Sequence, residues 1–338
     1  MDRAHRVIEN LNAALRALLA VAGVYLLGED VSDPYGGAFK ATKGLSSAYP
    51  ERVISTPISE NALVGVANGL ALQGNTVIVE IMFADFAGLA FDQVLNMTSK
   101  STSMYGARLP MRVLIRLPVG GGRGYGPTHS QSPQKHFLGI PDLRIVEINA
   151  YRDSLEVLRA VLETGGPALV VEDKVLYTRR MADPGPIDEL FHAELLPGPL
   201  GHTRITMSDN PEELDCLLIA AGGMADRAVE AARRLALESD LLCQVIVPTL
   251  LHPFDVEPIA AACDSARIIC VAEESTGGGT WGADIAQAIY QRCWPNLQRP
   301  IVLAHSDSGV IPAAVHLERN VLIDTQRIVD AVRKGLDG

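Results

Sequence analysis

Three stretches of the chain carry side chains suited to acid–base or ring-binding chemistry. The segment STPISEN at 55–61 follows a short apolar piece and opens a run in which Leu63, Val66, Ala67 and Leu70 share one helical face. That spacing puts Glu60 at or near a helix N-terminus. The helix dipole alone favours an acid there, and position by itself argues for that bland role. The chemical alternative is a carboxylate held at the carboxyl end of a strand and aimed into a cleft. The segment EIMFADF at 80–86 closes an expected strand, with Phe83 and Phe86 where strand gives way to loop. Core packing is the commoner fate of phenylalanine; a flat face for a ligand ring is the alternative. The richest loop, RLPVGGGRGYGPTHSQSP at 116–133, ends in His129 flanked by Thr128, Ser130 and Ser132. A loop histidine titrates near neutrality and can move protons, although a lone one is more often simply solvated.

Other patterns exclude chemistries. The glycine loop is not a phosphate loop of the GxxxxGK[ST] type, and no helix follows its glycines at the dinucleotide-binding offset. The stretches AAGGMADRAVEAARRL at 220–235 and EESTGGGTWG at 273–282 read as strand or loop, glycine turn and helix, with tight packing favoured over anion binding. There is no HExxH, no CxxC and no GxSxG, and His129 and His136 share a loop at a spacing that fits no common metal site. No metal ligands are therefore expected on this chain.

The apolar pattern sets out the strands and helices that carry these side chains. The chain has 338 residues, enough for two α/β domains, with a net charge of −11 and only 20% charged residues. An acidic chain without a basic block has no surface for nucleic acid or for an anionic membrane. Five cysteines without a paired pattern point to a reducing, cytoplasmic compartment. The apolar run at 17–27 is too short to span a bilayer and, with Glu9, Asn12 and Arg16 upstream, fits an amphipathic helix. Strands are expected at 24–27, 77–81, 111–115, 144–148, 168–172, 217–221, 243–247, 268–272 and 301–304. Helices are expected between them, at 60–73, 91–103, 154–164, 226–237, 281–293 and 326–336. Most of these strands lack polar alternation, so both sheet faces must be covered, which predicts parallel sheets flanked by helices. Pro184, Pro186, Pro197 and Pro199 interrupt the pattern, which sets a first domain at 1–182, a linker at 183–200 and a second domain at 201–338.

Taken in order, the segments resemble the beta subunit of the thiamine-diphosphate-dependent first component of 2-oxo acid dehydrogenase complexes, of the pyruvate, branched-chain and acetoin type. GEDVSDPYGGAFKATKGL at 28–45, STPISEN, FADF at 83–86, HSQSP at 129–133 and DSGVIPAAVHLE at 307–318 are similar to successive family segments. The resemblance covers nearly the whole chain. It implies a pyrimidine-binding, transketolase-like parallel α/β domain followed by a transketolase C-terminal-type domain. It also implies an oxidoreductase role for the assembled enzyme: decarboxylation of a 2-oxo acid and transfer of the acyl unit.

By the same resemblance, Glu60 hydrogen-bonds the aminopyrimidine ring nitrogen, which favours the tautomer that takes the thiazolium proton. Ile58 and Met82 lie near that ring, Phe86 stacks on it, and His129 handles protons on the substrate side. The family's diphosphate and Mg2+ motif, GDG with a later Asn, is missing here. The resemblance implies that it lies on a separate alpha subunit, in an assembly of two alpha and two beta chains, with a lipoyl acyltransferase as a possible further partner. The turn ETGGPA at 163–168 carries Thr164 and Gly166 where family members hold potassium with an acid and an asparagine, which leaves potassium doubtful. A second departure, VPTLLHPFD at 247–255, leaves open a thiamine-dependent carbon–carbon ligase or acyl transferase in a biosynthetic pathway.

Overall fold

A computed structural model describes residues 5–207 and 214–337. Residues 1–4, 208–213 and 338, which include the outer ends of both expected domains, lie outside the described residues. The chain forms two units: Met1–Val119 with Phe137–Met181, and Gly120–His136 with Ala182–Gly338.

In the first unit the strands are β1 (Val24–Gly28), β2 (Val53–Ser55), β3 (Thr76–Glu80), β4 (Val113–Val119), β5 (Arg144–Glu147) and β6 (Ala168–Asp173). They run in the order β5-β6-β4-β3-β1-β2, and each neighbouring pair is parallel. Every residue of β4 and β6 is buried, as a sheet covered on both faces requires. The helices are α1 (Val7–Leu19), α2 (Leu45–Ala48), α3 (Glu60–Leu72) and α4 (Ser154–Glu163). Helix α1 buries Val7, Leu11, Ala14, Leu15 and Leu18, the stripe of an amphipathic helix. Asn10 ties it to α4: its side chain donates to Asp153, the N-cap of α4, and accepts from the Ser154 N–H.

The order of the strands fixes where this sheet opens. From β1 the chain goes to β2 on one side and then to β3 on the other, so the carboxyl ends of β1 and β3 diverge at a topological switch point. Gly28 is needed at that end, because a Cβ there would sit 3.0 Å from the Glu80 carbonyl oxygen.

The second unit holds β7 (Gly185–Pro186), β8 (His192–Leu195), β9 (Thr203–Thr206), β10 (Cys216–Ala220), β11 (Cys243–Val247), β12 (Leu250–His252), β13 (Ile268–Thr276) and β14 (Val302–Ser306). Its sheet runs β14-β13-β10-β11-β9-β8-β7. Strands β14, β13, β10 and β11 are parallel, while β9, β8 and β7 add an antiparallel edge. Helices α5 (Met224–Ser239), α6 (Ala260–Ser265), α7 (Trp281–Cys293), α8 (Val315–Val321) and α9 (Thr325–Asp337) complete it. All five cysteines are buried thiols. Among the described residues no helix is long and apolar enough to cross a membrane.

Several elements differ from expectation. The stretch expected as a linker contains β7 and β8; Pro186 lies in the edge strand β7, where few ladder bonds are given up. The glycine loop, expected within the first domain, clusters with the second unit. Strand β4, expected at 111–115, runs from Val113 on to Val119 and includes Pro118. In place of a single helix at 91–103 there is a π-helical turn, Gln93–Ser99, and a 3₁₀ turn, Lys100–Thr102. There Thr98 donates its hydroxyl back to the Gln93 carbonyl, a side-chain bond that competes with the α ladder, and Ser99 ties the segment to the Pro141 carbonyl.

Candidate active site

Four of the five expected site residues belong to the carboxyl end of the first unit's sheet. Ile58 and Glu60 follow β2, while Met82 and Phe86 follow β3, on either side of β1. The 3₁₀ segment Ala84–Ala90, which carries Phe86, packs against α3. Glu60 is the first residue of α3 and only 5% exposed. Ile58, two residues earlier, is 80% exposed. Met82 and Phe86 are half-buried. Phe83 is half-buried too: its ring packs edge-on against Phe39, and the Lys174 ammonium lies over it.

Glu29 joins Glu60 here, one residue beyond β1. It is 5% exposed, its Oε1 is buried without a hydrogen-bond partner, and its carboxylate accepts from the Ser59 N–H. Burial pushes its pKa above the usual 4.5, and the neighbouring Glu60 charge adds to the rise. Among the described residues, the Glu60 carboxylate receives no hydrogen bond from a side chain and no ion pair. The site therefore presents two adjacent buried carboxylates, Glu29 and Glu60, beside the exposed Ile58. An acid directly after a strand is the one signal that could have found Glu29, and it is weak.

Beneath this end lies a buried ionic network. Arg116 on β4 donates through Nε and Nη2 to the two carboxylate oxygens of Glu172 on β6, at 2.7 and 2.8 Å, and through Nη1 to Glu80 on β3. Tyr177 adds a hydroxyl bond to Glu172 at 2.6 Å. Burial raises the Glu80 pKa and Arg116 opposes it. The network locks the ends of β3, β4 and β6 together, so the segment carrying Met82 and Phe86 starts from a fixed strand end.

His129, the fifth residue, belongs to the second unit. Thr128 Oγ1 lies 3.0 Å from its Nδ1. The loop that carries it leaves a cavity of about 180 Å³ against the ends of β13 and β14, lined by Gln131, Ser132, Lys135, Glu274, Thr276 and Ser306 among others. Among the described residues no cluster of histidine, cysteine, aspartate and glutamate suits a metal ion.

Comparison with known proteins agrees with this architecture. The transketolase pyrimidine-binding domain matches residues 7–180, and the transketolase C-terminal domain matches 208–328. The pyruvate dehydrogenase E1 component subunit beta of Leifsonia xyli subsp. xyli is 32% identical over 333 residues, 98% of this chain and 94% of that protein. The chain belongs to the family of 2-oxo acid dehydrogenase E1 beta subunits. A further family relative, the acetoin:2,6-dichlorophenolindophenol oxidoreductase subunit beta of Bacillus subtilis, is 30% identical over 97% of this chain and 96% of its own. The fold is shared with a solved split-gene transketolase, an inactive beta4 tetramer, with a TM-score of 0.73, 22% identity and 98% of both chains covered.

Proposed function

We propose that this chain is the beta subunit of a thiamine-diphosphate-dependent 2-oxo acid dehydrogenase, and that Glu60 is its acid toward the aminopyrimidine ring. The observation that carries this reading is a buried carboxylate pair, Glu29 and Glu60, without a cation, opening beside Ile58 at 80% exposure. Such a pair fits a neutral heterocycle with a basic ring nitrogen, to which a buried carboxyl can hydrogen-bond. When bound, the cofactor supplies the nucleophilic carbon and the electron sink for loss of CO2. Phe86 offers the ring a flat face, and Ile58 and Met82 offer apolar contacts that exclude water. His129 serves on the substrate side, where an imidazole can give and take a proton.

The diphosphate and its Mg2+ fall to an alpha subunit with the GDG and asparagine motif, in an arrangement of two alpha and two beta chains. Exposed Ile58, Val66 and Leu89, on and beside α3, support docking of that subunit on this face, since such apolar side chains mark interfaces when clustered. A lipoyl acyltransferase is the proposed acceptor of the acyl unit. The five buried thiols suit a cytoplasmic setting.

Co-expression with a GDG-bearing alpha chain tests the reading. Reduction of 2,6-dichlorophenolindophenol should then depend on pyruvate, 2-oxoisovalerate or acetoin. An assembled complex that turns over none of the three would contradict it.

A further inference from the structure

In the second unit, β10 is followed by β11 on one side and β13 on the other, so the crevice between the carboxyl ends of β10 and β13 is where an open α/β sheet ordinarily receives a ligand. Here the chain's own loop is received there. Glu274, at the end of β13, accepts the Gly121 N–H at 2.6 Å through Oε1. Its Oε2 accepts from Arg227 of α5 at 2.7 Å. Glu318 of α8, 0% exposed, accepts the Gly122 N–H through Oε1 and the Gly124 N–H through Oε2, each at 3.0 Å. Lys135 closes the far end of the loop by donating to the carbonyls of Thr276 and Gly278 at 2.7 and 3.0 Å. The glycines are sterically required: a Cβ on Gly121 would meet Leu322 at 2.5 Å, and Gly124 has φ +69° with the Ala313 carbonyl 3.1 Å from where its Cβ would be.

Backbone amides turned onto a buried anion are the usual design of an anion site. In this unit the anions are two protein carboxylates and the guest is the loop. We propose that Glu318, with Glu274, is a positioning residue that clamps the 120–126 loop and thereby sets His129, so that the second unit's ligand crevice serves to hold catalytic machinery. The proposal rests on the assignment of His129 to the active site made above. Glu318 touches no reacting atom in this account; it acts through the loop.

The test pairs an activity cycle with a measurement that does not need activity. Glu318→Gln keeps the side-chain length but sets an amide NH2 against one of the two N–H donors. In the full chain, tryptic cleavage after Arg123 should become at least about tenfold faster, because a released loop is cut from its open form. In the assembled complex, kcat should fall roughly 10- to 100-fold, the scale of a misplaced catalytic group, with KM for the 2-oxo acid little changed. In a His129→Ala background the same change should cost no more than about twofold further, since residues acting as a unit are not additive.

Unchanged cleavage would overturn the clamp, and multiplicative losses in the double variant would overturn the route through His129. Should Glu318→Gln fail to fold, Gly124→Ala strains the same loop and is read the same way. If His129→Ala leaves turnover intact, the assignment of that histidine fails, while cleavage after Arg123 still decides the clamp.

Discussion

At the scale of single residues, Glu29 gives the account a pH signature. Its folded pKa lies above its unfolded value of 4.5, so its contribution to stability is complete below pH 4.5 and is lost as pH rises through the folded value. Glu29→Gln cannot ionise. Its Tm relative to the parent chain should therefore climb as pH is taken from 4.5 to neutrality, and a difference that stays flat with pH would contradict the assignment. Arg116 makes a prediction of another kind. Arg116→Met leaves Glu80 and Glu172 buried without their cation, which should cost about 3–5 kcal/mol in denaturant unfolding. The exposed pair Arg292–Glu257, by contrast, should be worth under about 1 kcal/mol when broken.

At the scale of elements, α3 does two jobs. Leu63, Val64, Ala67 and Ala71 bury one side of it, while its first turn holds Glu60. Val66, on its outer side, and Leu89 nearby remain 56% and 61% exposed. Leu89→Asp should leave the Tm of the lone chain within about a degree, because exposed sites seldom matter to folding. It should weaken association with the alpha subunit at least about tenfold in sedimentation or calorimetry, and undiminished association would remove this face from the interface.

The same elements show what could be read in advance. The buried parallel strands and the start of α3 announce themselves through unbroken apolar runs and helical spacing. Strands β8 and β9 do not: HAEL and TRIT are short and half-polar, and their antiparallel edge follows from pairing with β11, which no local pattern encodes. Glu60, Met82 and Phe86 could be placed at strand ends from sequence. Glu29, Glu274 and Glu318 could not, since what distinguishes them is burial and the groups that face them.

At the scale of the molecule, each unit is an open α/β sheet with a crevice at its switch point, and the two crevices serve different ends. The first presents the buried carboxylates of Glu29 and Glu60 beside exposed Ile58. The second is filled by the chain's own glycine loop. We infer a divided site, with the ring end of the cofactor on this chain and the charged end on another. The lone chain should then bind thiamine diphosphate and Mg2+ no tighter than about millimolar by calorimetry, and micromolar binding without a partner would argue against the division. The most direct measurement concerns Glu60 itself: exchange of the thiazolium C2 proton for deuterium in the reconstituted complex, followed by quenched-flow NMR. Glu60→Gln should slow that exchange by at least about 100-fold while assembly persists, within the range expected for loss of a positioned acid; exchange at the parental rate in the assembled variant would contradict the account.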